Sequence, residues 1–118
     1  MAFDELIHQP TRLRIMAFLA RLGPDAEVEF GRLQKSLGLT EGNLSRHLSK
    51  LEAAGYVRLK KGYRGRRPRT WVRLTGKGRD AFYAHLEVLE AIVRGEEADA
   101  AGRDQGGEQG LRPRPSPG

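Results

Sequence analysis

LTEGNLSRHLSKLEAAGYV, residues 39–57, carries the start signal, the apolar stripe and the stop signal of one amphipathic helix. Thr40 is placed to accept hydrogen bonds from the first backbone N–H groups, and Gly55 to end the helix in a left-handed conformation. Between them leucines recur at i, i+4 and i+7, the spacing of a single buried stripe. We therefore predict a helix of about four turns that packs through Leu44, Leu48 and Leu51.

The face opposite the leucines carries small, amide, hydroxyl and cationic side chains. Such a face suits the DNA major groove, because arginine forks onto guanine, asparagine pairs with adenine, and serine meets base edges or phosphates. An ordinary solvated helix face is the other interpretation. Arg46 is the leading candidate for a base contact, whereas His47 flanks the leucine stripe and is equally suited to packing. The candidate base contacts are Thr40, Gly42, Asn43, Ser45, Arg46, His47, Ser49 and Lys50.

The net charge of +6 is concentrated in one segment. Residues 1–55 hold seven basic and seven acidic side chains, residues 56–79 hold ten basic and no acidic ones, and residues 80–118 hold four basic and eight acidic ones. A basic block of this kind is typical of a phosphate-binding surface, although a solubilising loop or a site for an acidic protein has the same composition. Because the block follows the candidate recognition helix directly, we favour nucleic acid as the ligand.

Two helices are predicted upstream of the recognition helix. The first spans Pro10–Leu22 and ends at the turn Gly23-Pro24-Asp25. A brief extended segment, Val28–Phe30, leads into the second helix, Gly31–Leu37, which Gly38 should cap. Because a single residue separates this cap from Thr40, the two helices form a predicted helix-turn-helix. The apolar positions expected to face the core are Leu13, Ile15, Met16, Phe18, Leu19, Leu22, Leu33 and Leu37.

Downstream of Gly55 the apolar period changes from 3.6 to 2, which predicts two half-buried strands, Tyr56–Lys61 and Arg69–Leu74. The connection 62–68, GYRGRRP, contains two glycines and a proline and predicts a hairpin with a protruding basic tip. Trp71 alternates with inward residues and should pack on the outer side. The cations expected to contact phosphates or the minor groove are Lys60, Lys61, Arg64, Arg66, Arg67 and Arg69.

A long helix capped by Thr75 should follow, with more apolar surface than one small core requires. This surplus suggests a contact with a second copy of the chain, and burial against the protein's own N-terminal segment is the alternative. We predict one domain over residues 1–94 and a disordered tail over residues 95–118, which has one large aliphatic residue. The predicted dimer contacts are Phe3, Leu6, Tyr83, Leu86, Leu89, Ile92 and Val93.

Several classes of protein are excluded by composition. The 118 residues contain no cysteine, so disulfides, thiolate metal sites and cysteine nucleophiles are absent. No apolar run is long enough to span a membrane, and the N-terminus lacks the layout of a signal peptide, so we expect a cytoplasmic, nucleoid-associated protein. The three histidines lack ligand spacing, and no serine or threonine has an evident base. We therefore expect no cofactor, no metal and no enzymatic activity.

The order of helix, helix, recognition helix, basic hairpin and long terminal helix resembles the ArsR/MarR-like winged helix-turn-helix regulators of bacteria and archaea. The residues that carry the resemblance are PTRLRIMAFLA from Pro10, FGRLQKSLGLTEGNLSRHLSKLEAAGYV from Phe30, and GRRPRTWVRLTGKGRDAF from Gly65. It implies a mainly α fold with a small β-hairpin, and a homodimer on a pseudo-palindromic operator. By this resemblance base edges are contacted by Asn43, Ser45, Arg46 and His47, and the wing carries Arg64, Arg66, Arg67 and Arg69.

The expected function is therefore a sequence-specific, double-stranded DNA-binding transcriptional regulator that acts as a dimeric repressor. The alternative is a winged-helix accessory module whose hairpin binds an acidic partner or structured RNA. A small-molecule effector between the terminal helices is conceivable by analogy alone. Metal- or thiol-sensing through cysteine, which some members of the superfamily use, has no residue to support it here.

Overall fold

A computed structural model describes residues 3–96. Helices α1 and α2 are followed by a short strand, the helix-turn-helix α3–α4, a two-stranded hairpin and the long helix α5. This architecture confirms the predicted winged helix-turn-helix. The predicted tail lies outside the described residues beyond Glu96. The elements are α1 (Glu5–His8), α2 (Pro10–Leu22), β1 (Glu27–Glu29), α3 (Phe30–Leu37), α4 (Glu41–Ala53), β2 (Val57–Arg64), β3 (Arg67–Leu74) and α5 (Gly76–Arg94).

Helix α4 begins and ends where its sequence signals lie. The Thr40 hydroxyl accepts a hydrogen bond of 3.1 Å from the Asn43 N–H. At the other end Gly55 is left-handed, with φ 82°, and its N–H donates to the Glu52 carbonyl. This is the Schellman arrangement, which satisfies the last carbonyls of the helix. The stripe between these ends is fully buried, as predicted: Leu44, Leu48 and Leu51.

The turn between α3 and α4 is equally tight. Gly38 is left-handed, and its N–H donates to the Lys35 carbonyl while the Leu39 N–H donates to the Gln34 carbonyl. The Arg14 guanidinium on α2 donates to the Leu37 carbonyl at 2.9 Å, which ties α2 to the end of α3. The predicted cap and helix-turn-helix are therefore confirmed, with α3 beginning one residue early at Phe30.

The core-facing stripe of α2 differs in one position from the prediction. The buried residues are Ile15, Met16, Leu19 and Ala20, whereas Leu22 is 41% exposed. At 100° per residue, Leu22 lies about 90° from the centre of this stripe. The prediction that Leu22 faces the core is therefore wrong.

The hairpin is longer and its turn shorter than predicted. Strands β2 and β3 pair antiparallel out to Arg64 opposite Arg67, so the connecting loop is Gly65-Arg66 rather than residues 62–68. Gly65, with φ 63°, takes the first central position of the turn, where type II′ hairpins place glycine. The outer half of each strand stands clear of the core, so its sequence shows no apolar alternation. Gly62 lies within β2 instead of in a turn.

The sheet has a third strand that periodicity does not reveal. β1 pairs antiparallel with β3 through Val28 opposite Val72, which gives the order β1-β3-β2. Both of these valines are buried in the core. Three residues are too few to show a period of two, so the sequence predicts only an extended segment there.

The N-terminal segment and α5 meet around a buried histidine. His85 is fully buried, and its Nδ1 accepts from the backbone N–H of Asp4 at 3.2 Å. Its Nε2 lies 3.3 Å from Nδ1 of His8. The Tyr56 hydroxyl donates to the Asp4 carboxylate at 2.6 Å and thus joins the end of α4 to the same cluster. The N-terminal segment therefore covers part of α5, which is the alternative to a dimer contact for this part of the helix.

Helix α5 begins in close contact with the end of α4. The Thr75 hydroxyl donates to the Gly55 carbonyl at 2.6 Å and accepts from the Gly78 N–H at 2.9 Å. Gly78 is buried, and a Cβ atom at this position would lie 2.1 Å from the Tyr56 carbonyl oxygen. Gly76 has nothing within 4 Å of the same point. Gly78 therefore allows α5 to approach the Tyr56 backbone between α4 and β2, whereas Gly76 has no such role.

We predict that Gly78→Ala lowers the free energy of unfolding by about 2–3 kcal/mol, because the added methyl group forces the Tyr56 backbone away from α5. Gly76→Ala is the matched control and should change it by less than about 1 kcal/mol, in the stabilising direction. Urea denaturation of both variants measures the difference. Equal effects of the two substitutions would contradict the close approach at Gly78.

We also predict that the protein loses stability as the pH falls below 6.5. Burial lowers the pKa of His85, and positive charge on His8 lowers it further, while Asp4 acts in the opposite sense. The unfolded chain therefore takes up a proton before the folded protein does, and unfolding becomes easier by at most about 1.4 kcal/mol per pH unit for this group. His47, whose pKa is also lowered, adds in the same sense.

Thermal and urea unfolding between pH 7.5 and 5 measure this dependence. His85→Asn keeps an acceptor for the Asp4 N–H but does not titrate, so its stability should fall less steeply with pH than that of the wild type. An unchanged slope in this variant would show that His85 is not the responsible group.

Candidate nucleic-acid interface

The face of α4 opposite the leucines is uncovered. Because the buried leucine stripe fixes the rotation of the helix about its axis, the polar side chains necessarily point away from the core. Thr40, at the N-cap, is exposed as well, although its hydroxyl is engaged by Asn43. The exposed residues on or beside this face are Gly42, Asn43, Ser45, Arg46, Ser49 and Lys50.

Two of these side chains, Asn43 and Arg46, are hydrogen-bonded to each other. The Arg46 guanidinium donates to the Asn43 amide oxygen at 2.6 Å, one turn apart on the exposed surface. This bond uses one of the two lone pairs of the Asn43 amide oxygen, and it leaves the Asn43 NH₂ group and the remaining guanidinium N–H groups free to donate. The pair therefore presents several donors side by side, which matches the O6 and N7 acceptors of guanine in the major groove.

His47 differs from its neighbours because it is half-buried against α2. Its Nδ1 accepts from the Arg12 guanidinium at 3.1 Å, and Arg12 in turn donates to the Leu6 carbonyl at 2.6 Å. Burial lowers the pKa of His47, and the charges of Arg12, Arg46 and Lys50 lower it further. The neutral imidazole thus holds α4 to α2, so the structure favours the packing interpretation of this residue.

A groove of about 1570 Å³ separates the helix-turn-helix from the hairpin. Glu41 and Ser45 from the N-terminal half of α4 line one side, and Lys61 and Tyr63 from β2 line the other. The N-terminal half of α4 and the hairpin therefore border the same concavity. Helix α3 adds Arg32 and Lys35 to the lining, neither of which the sequence pattern indicated.

Tyr63 is a second feature that the sequence did not indicate. It is 71% exposed although it shares the alternation phase of the core residues Val57 and Leu59. We call the face of the hairpin that carries these residues the inner face and the opposite one the outer face. The inner face continues past the core into the groove through Lys61 and Tyr63, opposite Thr70 and Pro68. The phase of alternation is the signal that could have placed Tyr63 there.

The predicted wing cations fall into two sets. Lys60 lies 3.2 Å from Glu27, and both Arg64 and Arg69 contact Glu29, at 2.7 and 2.6 Å. These three side chains therefore have intramolecular partners on β1. Within residues 3–96 no carboxylate lies within ion-pair distance of the others, which are Lys61, Arg66 and Arg67.

The predicted dimer contacts also fall into two sets, one packed against the protein's own core or N-terminal segment and one exposed. Leu6 and Leu86 are partly buried against the core, and the Phe3 ring lies 4.6 Å from that of His8. The C-terminal part of α5 remains open, with a shallow depression of about 330 Å³ beside Leu86, Leu89 and Val93. Val93 is 85% exposed. The apolar side chains with the largest exposure among the predicted contacts are Phe3, Tyr83, Ile92 and Val93.

Residues 3–96 contain neither a candidate metal site nor a membrane-spanning helix. Among residues 3–96 no group of three histidine or carboxylate side chains is placed to hold a metal ion, and Asp4, His8 and His85 bond to one another instead. None of the helices in this range is both long enough and apolar enough to cross a membrane.

A helix-turn-helix with an uncovered polar second helix, flanked by a basic hairpin across a shared groove, defines a winged-helix nucleic-acid-binding domain. Comparison with known sequences agrees with this class. The chain belongs to the winged helix DNA-binding domain family, whose profile matches residues 11–93.

Three relatives illustrate the similarity. An uncharacterized protein of Methanocaldococcus jannaschii, MJ0432, is 38% identical over 87 residues, which are 73% of this chain and 91% of that protein. The solved structure of a transcriptional regulator homologue from Pyrococcus horikoshii OT3 superimposes with a TM-score of 0.71 at 36% identity, covering 78% of this chain and 88% of that one. A MarR-family regulator from Enterococcus faecalis V583 gives 0.56 at 25% identity, with 80% and 79% covered.

Proposed function

We propose that this protein is a sequence-specific, double-stranded DNA-binding transcriptional regulator that acts as a dimeric repressor on nucleoid DNA in the cytoplasm. The observation that carries the proposal is the fixed rotation of α4, whose buried leucines leave Asn43 and Arg46 uncovered. Membership of a winged helix DNA-binding family supports the DNA-binding part of the proposal.

In the proposed complex α4 lies in the major groove and reads bases through Arg46 and Asn43. Ser45, Ser49 and Lys50 contact base edges or the adjacent phosphates. Lys61, Arg66 and Arg67 grip the flanking backbone, because these wing cations have no intramolecular ion pair among the described residues. Tyr63 lies beside them and donates its hydroxyl to a phosphate oxygen.

The dimer forms through the open apolar stripe at the C-terminal end of α5. Leu89 and Val93 lie about one turn apart on this stripe. Leaving such side chains in water is unfavourable, and a second copy packed by a two-fold axis covers both stripes at once. Two recognition helices related in this way fit half-sites about 10 bp apart, or a small multiple of that distance.

We predict that Arg46→Ala lowers the preference for the operator over random duplex by about 10-fold or more, because a bidentate arginine contact discriminates by about 1–3 kcal/mol per base pair. The operator is the highest-affinity duplex recovered by in vitro selection with the full chain. Fluorescence anisotropy at several salt concentrations measures both affinities. If the variant loses affinity equally for both duplexes, Arg46 contacts phosphate and does not read a base.

The variant Arg66→Ala/Arg67→Ala is the contrasting control. It should weaken binding to both duplexes by similar factors and reduce the slope of log K against log salt by about 0.9 for each lost phosphate contact. A slope equal to that of the wild type would remove these arginines from the interface. Binding to structured RNA or to acidic protein, with no duplex retained at all, would favour the accessory-module alternative.

We predict that Val93→Asp makes the protein monomeric at micromolar concentration, because a carboxylate within the apolar interface would be buried without a partner. Sedimentation equilibrium measures the molecular mass. Leu22→Asp is the matched control, since Leu22 is also exposed but lies on α2, outside the stripe. A wild-type protein that is monomeric, or a Val93 variant that stays dimeric, would contradict this interface.

A further inference from the structure

The outer face of the sheet combines a dense set of cations with two carboxylates. In the pairing of β1 with β3, Glu27 lies opposite Arg73 and Glu29 lies opposite Trp71, so both carboxylates share the outer face. On the neighbouring strands this face is cationic along its length. Its basic residues are Arg58, Lys60, Arg64, Arg67, Arg69 and Arg73.

Glu29 occupies a distinctive position in this set. One of its carboxylate oxygens accepts from Arg64 on β2 at 2.7 Å, and the other contacts Arg69 on β3 at 2.6 Å. The Glu29 side chain is 17% exposed and that of Arg69 is 33% exposed, so their bond is less screened by water than an ordinary surface pair, whereas Arg64 is 67% exposed and its bond is open to solvent. A single carboxylate thus fixes two arginines from two different strands of the wing.

The N-cap position of a helix favours the shorter side chains of Asp, Asn, Ser and Thr, whose oxygens accept from the first backbone N–H groups. Glu29 occupies this position in α3. Its side chain makes no such cap hydrogen bond. The carboxylate contacts the wing arginines instead, and Glu29 and Arg69 both line the groove between the helix-turn-helix and the hairpin.

We infer that Glu29 sets the strength of sequence-independent DNA binding: it holds Arg64 and Arg69 in an ionic bridge and so limits the attraction of the wing for phosphate. This inference rests on the proposed function. Phosphate attraction strengthens binding to every duplex equally and therefore adds nothing to discrimination. By neutralising part of the wing, Glu29 therefore lowers the affinity for every duplex, while the choice of site depends on the side chains of α4.

The test compares Glu29→Gln with the wild type on the selected operator and on random duplex of the same length. The variant frees two arginines, so its affinity for random duplex should rise by about 3- to 10-fold at low salt, and its salt slope should steepen by about 1–2. Operator affinity should rise by a similar factor, so the ratio of the two affinities stays about the same while both salt slopes steepen. Glu27→Gln is the matched control and should change the affinity by less than about twofold, because Glu27 is more exposed and contacts Lys60 alone, at 3.2 Å.

A second set of variants separates charge from folding. Removing both arginines in the Glu29→Gln background should return the affinity for random duplex to about the wild-type value, whereas the same removal beside an intact Glu29 should have a smaller effect. Thermal unfolding of every variant checks that the fold is retained. A Glu29→Gln protein that binds random duplex no more tightly than the wild type would overturn the inference.

The two proposals fail in distinguishable ways. A wild-type protein that binds no duplex at all refutes the proposed function and this inference with it. A wild-type protein that selects its operator, combined with a Glu29→Gln variant of unchanged random-duplex affinity and salt slope, refutes only the role of Glu29.

Discussion

The burial of three leucines on α4 is the constraint on which the interface depends. With Leu44, Leu48 and Leu51 excluded from water, the helix cannot rotate about its axis without exposing apolar area, at a cost of about 25 cal/mol per Å². The polar face is therefore held toward solvent at a fixed angle. Residues such as Asn43 and Arg46 need no further support to point outward, and their mutual hydrogen bond settles their relative position.

The end of α4 serves a second purpose, because it joins three parts of the molecule. The carbonyls of Gly55 and Tyr56 accept from Thr75 at the start of α5, and the Tyr56 hydroxyl reaches Asp4 in the N-terminal segment. The close approach at Gly78 makes this junction possible. Stability and interface geometry are coupled here, since a shift of this junction would tilt α4 and the base of the hairpin together.

Part of the positive charge of the hairpin is paired with carboxylates, which the composition of the segment does not show. The segment 56–79 contains no acidic residue, yet part of its charge is neutralised by carboxylates that lie about thirty residues earlier in the chain. The number of cations in a wing is therefore a poor measure of its attraction for DNA. The cations without such partners among the described residues, Lys61, Arg66 and Arg67, dominate the proposed backbone contacts.

The sequence by itself determined helices α2 to α5, the caps at Gly38, Thr40, Gly55 and Thr75 and the polar face of α4, because capping residues and the 3.6 period are local signals. Tertiary structure decided the strand pairing, the burial and the ion pairs that local signals do not encode. It paired β1 with β3, extended the hairpin to a two-residue turn, placed Leu22 outside the core, and buried His85 against the N-terminal segment. It also joined Glu29 to Arg64 and Arg69. Each of these depends on contacts between residues distant in the chain, which periodicity and composition cannot report.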